Sequence, residues 1–146
     1  MKKLLVINGP NLNMLGIREP DLYGKKDFNA LCEYIKSCAV QLGCEVELYQ
    51  SNHEGDIVTA IQNAYAKKDG IVINPAAYTH TSVAILDAVK ACGVPTVEVH
   101  LTDISAREEF RRISYVGAAC VAHFIGLGFE GYKKAMEYLV AMEPST

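Results

Sequence analysis

The chain has 146 residues, the length of one ordinary domain. Half of them are hydrophobic, 21% are charged and the net charge is −3, a balance that suits a globular protein with a real core and excludes nucleic acid as an obvious partner. The apolar run after Met1-Lys2-Lys3 is too short for a signal peptide or a membrane span, so a cytoplasmic protein with no membrane partner is expected.

Lys3–Asn8 reads as strand one, an apolar run that stops at Asn8-Gly9-Pro10-Asn11. Gly9 to Lys26 is long for a turn and holds Gly16, Arg18, Pro20, Tyr23 and Gly24, so a lid over about 17–26 is expected. Asp27 can cap a helix with an apolar stripe of Phe28, Leu31, Cys32, Ile35, Ala39 and Leu42, ended by Gly43. Cys44–Gln50 alternates Val46 and Leu48 with Glu45 and Glu47, as an edge strand does. Asp56–Lys67 reads as a helix and Gly70–Asn74 as strand three. Thr79–Cys92 reads as a helix broken by Gly93-Val94-Pro95, and Thr96–His100 as strand four. Ser105-Ala106-Arg107-Glu108 is a capping-box pattern that predicts a short helix. Cys120–Ile125 reads as strand five and Phe129–Met142 as the closing helix.

Alternating strands and helices with short turns predict one α/β domain over 1–146, doubly wound, with helices on both faces of a five-stranded parallel sheet. The spacing fits the flavodoxin-like order 2-1-3-4-5. Ligands of such sheets lie outside the carboxyl ends of the strands, where this chain places Asn8, Asn74 and His100.

Several motifs carry little. Gly126-Leu127-Gly128-Phe129-Glu130-Gly131 fits G-x-G-x-x-G, but no later strand brings the acid that a dinucleotide site needs about 20 residues on. A tight strand-to-helix turn explains it. The loop after strand one lacks the hydroxyls of a flavin phosphate loop, and Asn74 stands where a response regulator needs Asp. Five scattered cysteines without C-x-x-C spacing read as small buried thiols.

The histidines differ. His53 reads as a loop or helix-start residue, and His123 as a residue in or beside strand five. His80 is either a ligand group or a helix-start polar residue. Glu98 and His100 stand two apart on one strand, so they share a face. A carboxylate beside an imidazole fixes its tautomer and supports its protonated form, which makes His100 a candidate acid. Glu98, His100 and His80 offer an alternative metal site, although no two of these histidines share an element at metal-site spacing. Tyr23 is a candidate base if a guanidinium favours tyrosinate, and Arg18 shares its loop; alternatively Tyr23 packs the lid down.

Together these residues closely resemble the type II 3-dehydroquinate dehydratases, over essentially the whole chain. The resemblance rests on Leu5-Val6-Ile7-Asn8-Gly9-Pro10-Asn11-Leu12-Asn13-Met14-Leu15-Gly16, Arg18-Glu19-Pro20, Tyr23-Gly24 and Gln50-Ser51-Asn52-His53-Glu54-Gly55. It continues through Ile73-Asn74-Pro75, Tyr78-Thr79-His80-Thr81-Ser82, Val97-Glu98-Val99-His100 and Arg107-Glu108-Glu109-Phe110-Arg111. It implies removal of water from 3-dehydroquinate through an enolate, without metal or cofactor, for the shikimate pathway or for quinate breakdown. Tyr23 is then the proton acceptor, His100 the donor, Arg18 the lid residue that supports tyrosinate, and Glu98 the partner of His100. Asn11 helps hold the enolate oxygen through a water. Asn74, His80 and Arg111 contact ring hydroxyls, and Leu101 and Thr102 bind the carboxylate largely through backbone N–H groups.

Asp87 also matches a family residue, yet it lies about two turns, roughly 10 Å, along the predicted helix from His80. The resemblance implies that it reaches a neighbouring site in a trimer, four of which make a dodecamer. Three positions depart from the family pattern, which has Gly near Ala76, Ser at Thr102 and Asn at Asp103. Thr102 keeps the hydroxyl, Asp103 adds a negative charge near an anion site, and Ala76 narrows the pocket floor.

Overall fold

The structure is a computed structural model and describes residues 1–17, 26–104, 108–111 and 113–143. Arg18, Tyr23 and most of the expected lid lie outside the described residues, as do Ser105, Ala106 and Arg107 of the capping-box pattern. The elements in order are β1 (Lys3–Asn8), α1 (Phe28–Leu42), β2 (Glu45–Gln50), α2 (Glu54–Asn63), β3 (Gly70–Asn74), α3 (Val83–Cys92), β4 (Thr96–His100), β5 (Ala122–Ile125) and α4 (Glu130–Ala141). Among the described residues, 3-10 turns cover Leu12–Met14, Ala76–His80, Glu109–Arg111 and Val116–Ala119, and no helix is long and apolar enough to cross a membrane.

The strands form one parallel sheet in the order β2-β1-β3-β4-β5, as the strand–helix alternation predicts. β3 and β4 are buried along their whole length, which explains their unbroken branched runs. β2 lies at the edge, and its two glutamates face solvent. One face of the sheet sets Leu4, Val6, Val72 and Val97 against Leu31 and Ile35 of α1 and Met136 and Leu139 of α4. The other sets Leu5, Ile7, Ile71 and Ile73 against Ile57 and Ile61 of α2 and Ile85 and Val89 of α3. Each of these side chains contributes about 1.5–3 kcal/mol by burial, so the sheet is fixed from both sides.

Local chemistry sets the element ends. Asp27 accepts from Ala30 N at 2.8 Å to start α1, and Gly43 at φ 68° ends it. The expected helix over Asp56–Lys67 runs instead over Glu54–Asn63. His53 is its extended N-cap, Glu54 and Asp56 both fall in the first turn, where the helix dipole favours acids, and the chain turns away at Ala66 with φ 60°. The expected helix over Thr79–Cys92 is two pieces. A 3-10 turn ends at His80, and α3 restarts behind Ser82, whose hydroxyl accepts from Ile85 N at 2.9 Å. β5 starts at Ala122 rather than Cys120, because Cys120 N closes the preceding turn on Gly117 O at 3.1 Å. β2 begins one residue later than expected, and α4 is one residue shorter at each end.

The G-x-G-x-x-G segment is a strand-to-helix turn. Gly126 and Gly128 have φ of 81° and 60°, and a Cβ on Gly131 would lie 3.3 Å from Val99 Cγ1.

Candidate active site

β1 and β3 end side by side, with Asn8 opposite Asn74 in register. Both amides point to the α4 face, where the fully buried Tyr132 waits. The Tyr132 hydroxyl donates to Asn8 Oδ1 at 2.6 Å and accepts from Asn74 Nδ2 at 2.9 Å. Burial pushes the Tyr132 phenol well above its usual range, so it remains a neutral donor. Asn74 Oδ1 in turn accepts from Ala76 N at 3.1 Å. The loop after β1 crosses this corner at close range: Gly9 N donates to Asn74 O at 2.8 Å, and a Cβ on Gly9 would sit 2.6 Å from Pro75 O. Only glycine allows that approach.

Asn11 lies on the exposed side of the same corner, in the left-handed region with φ 70°. Its N–H donates to Asn52 Oδ1 at 3.0 Å, and Gln50 Nε2 donates to the same oxygen at 3.1 Å and to Gly9 O at 3.2 Å. The Asn11 backbone is thus tied to the residues that follow β2.

β4 carries the acidic centre. Glu98 is 1% exposed and His100 is 5% exposed. His100 Nε2 donates to Glu98 Oε2 at 2.9 Å. The same oxygen accepts the Thr79 hydroxyl at 3.0 Å and the Ser114 hydroxyl, while Oε1 accepts His123 Nδ1 at 2.8 Å. Burial alone would raise the Glu98 carboxyl. The hydrogen bonds from His100 and Ser114, the His100 charge and the His123 bond outweigh it and hold the group down at about 2. Glu98 is therefore an anion, and His100 is oriented with Nδ1 facing away from the carboxylate.

The remaining expected site residues lie on the turn after β3, on α3 and on the segments after β4. His80, half-buried at the end of its 3-10 turn, donates from Nδ1 to Ile113 O at 2.8 Å. Arg111 Nε lies 2.8 Å from Glu108 Oε2, and its guanidinium covers the Phe110 ring at 5.1 Å. Leu101 follows β4 half-buried, with its carbonyl accepting from Gly128 N at 3.0 Å, and Thr102 is exposed. Asp87 is exposed on α3, a helix that also exposes Val83. Among the described residues, no three His, Cys, Asp or Glu side chains are grouped to hold a metal ion.

Residues 2–140 match the family model described as Dehydroquinase class II. The chain belongs to this family. It is 56% identical over 138 residues to a 3-dehydroquinate dehydratase of Clostridium perfringens, covering 94% of each chain. It superposes on the crystal structure of a type II dehydroquinase from Butyrivibrio crossotus with a TM-score of 0.90 at 48% identity, covering 94% of this chain and 97% of that one. A type II dehydroquinase from Propionibacterium acnes gives a TM-score of 0.89 at 37% identity, covering 97% and 100%.

Four residues that bond to the expected site side chains escape a reading of the sequence as site residues: Thr79, Ser114, His123 and Tyr132. None stands at the end of an apolar run. His123 is legible only through register, since it is the β5 residue opposite Glu98.

Proposed function

We propose that the chain is a hydro-lyase that dehydrates 3-dehydroquinate to 3-dehydroshikimate by anti elimination through an enolate. The observation that carries this reading is the buried His100–Glu98 pair at the carboxyl end of β4, in a chain of this family. Elimination of a β-hydroxyl from a ketone needs a base at the α-carbon, charge stabilisation at the ketone oxygen and an acid for the leaving hydroxyl. Tyr23 as tyrosinate takes the α-proton, favoured by the Arg18 guanidinium, and the electron pair moves onto the ketone oxygen. Asn11 helps hold that oxygen through a water. The electron pair then returns, the C–O bond of the hydroxyl breaks, and His100 gives it a proton from Nδ1, so that water leaves. Glu98 holds the other nitrogen and supports the imidazolium before transfer.

Asn74, His80 and Arg111 bind the ring hydroxyls, and the backbone at Leu101 and Thr102 binds the carboxylate. The reaction uses no cofactor. Asp87, exposed on α3, reaches a neighbouring site in a trimer that assembles into a dodecamer; full activity of dilute monomers would overturn that assignment. The enzyme serves the cytoplasm, in the shikimate pathway or in quinate breakdown.

The test is the ultraviolet absorbance of the protein mixed with 3-dehydroquinate in the presence of a chelator. The product is a conjugated enone and the substrate is not. A rise in absorbance that persists with the chelator supports the reading, and a flat trace from folded protein overturns it.

A further inference from the structure

His123 is unexplained by the chemistry above, yet it makes a 2.8 Å bond to the most buried charge of the site. β4 and β5 pair in register with Glu98 opposite His123, so both side chains leave the same face of the sheet. Glu98 is thereby held between two imidazoles: His100 on Oε2, inside the protein, and His123 on Oε1, with 44% of its side chain exposed. His123 reaches an open cavity of about 580 Å³ lined also by Asp103, Ser114, Gly117 and Ile125. Gly117 keeps the approach to Oε1 clear, since a Cβ there would lie 2.7 Å from that oxygen.

We propose that His123 is a positioning residue for the dehydration, acting through Glu98 to orient the acid His100 and to set how strongly the carboxylate supports the His100 imidazolium. This inference rests on His100 being the acid. The Thr79 and Ser114 hydroxyls both converge on Oε2, so the bond at Oε1 fixes the rotation of the carboxylate plane. A carboxylate that cannot rotate presents one lone pair to His100 Nε2, and this fixes the tautomer with Nδ1 toward the substrate. The N–H of His123 also draws charge from the carboxylate, so less remains to support an imidazolium at His100.

Among the described residues, the titratable groups around this array are few. β4 supplies Glu98 and His100, and β5 supplies His123. Asp103, on the loop after β4, lines the cavity. The Cys120 thiol precedes β5; burial and then the Glu98 charge push it up to about 12, so it stays neutral. His80, after β3, is turned to Ile113 O, and the 113–119 segment contributes the neutral Ser114 hydroxyl.

The experiment compares wild type, His123→Val and His123→Asn, because Asn places an uncharged donor where Nδ1 stands. Each is measured by kcat and KM against pH, and by ¹⁵N NMR titration of His100. In His123→Val, kcat falls about tenfold, a fraction of what a general acid contributes, with KM changed little. The alkaline limb of kcat and the His100 titration midpoint both move up by about half a pH unit. His123→Asn restores kcat. A Val variant with unchanged kcat and unchanged His100 midpoint overturns the inference. So does a loss of kcat with an unmoved midpoint, which marks a structural role only. If wild type does not turn over 3-dehydroquinate, the functional reading fails, and a shifted His100 midpoint still establishes the coupling of the two histidines.

Discussion

Tyr132 and Asn74 stand 58 residues apart in sequence and share a fully buried hydrogen bond of 2.9 Å. The bond fixes the amide of Asn74, a proposed substrate contact, from α4. Tyr132→Phe removes the hydroxyl and leaves both the Asn8 oxygen and the Asn74 nitrogen without it. Buried polar groups left unpaired cost about 1–3 kcal/mol. Urea unfolding should show a loss of that size, and steady-state kinetics should show a raised KM as Asn74 loses its orientation.

The Glu98 carboxyl predicts a dependence of stability on pH. It titrates near 4.5 when unperturbed and at about 2 in the folded chain. Its contribution is fully present above the unfolded value and is lost as pH falls through the folded one. The shift corresponds to about 3 kcal/mol. The gap in unfolding free energy between wild type and Glu98→Gln should therefore narrow by about that amount between pH 5 and pH 2, followed by denaturant titration at each pH. A gap that is constant with pH contradicts the assignment.

Ala76 sits at φ 52°, in the left-handed region. A side chain there costs roughly 1–2 kcal/mol, part of which glycine gives back through the entropy of the unfolded chain. Ala76→Gly should stabilise the fold by up to about 1 kcal/mol, read as a rise in melting temperature. A backbone in this region favours Gly at the position.

Tyr23→Phe removes the proposed base while keeping the ring. Turnover should fall by at least about 10²–10⁴, the usual worth of a general base, while calorimetry shows substrate binding nearly unchanged. Near-normal turnover would reassign the base.

The sheet is legible in the sequence because β1, β3 and β4 are buried on both faces and carry short branched runs that cannot be surface helix. The pairing of Glu98 with His100 is legible for a similar reason: residues two apart on a strand must share a face. The helix ends are less legible. Asp56 looks like a start because it is acidic, but His53 caps the helix, and acids fit anywhere in a first turn. Thr79 looks like helix because α3 follows it, yet its backbone belongs to a 3-10 turn that aims its hydroxyl at Glu98. Ser114, His123 and Tyr132 gain their roles from register and from packing across 16, 25 and more than 50 residues. No local pattern encodes that.

The donors to Glu98 come from the turn after β3, from the segment before β5, and from β4 and β5 themselves. The carboxylate is thus a checkpoint on assembly. A chain that has closed its sheet but not seated Ser114 holds an anion in its interior short of a partner, a state with a strong bias to complete or reopen. With His100 as the proposed acid, the arrangement makes it conditional: lifting the 113–119 segment removes the Ser114 bond to Glu98 while the sheet still stands. Catalysis by His100, as proposed, then depends on a docked 113–119 segment as much as on the strand that carries it.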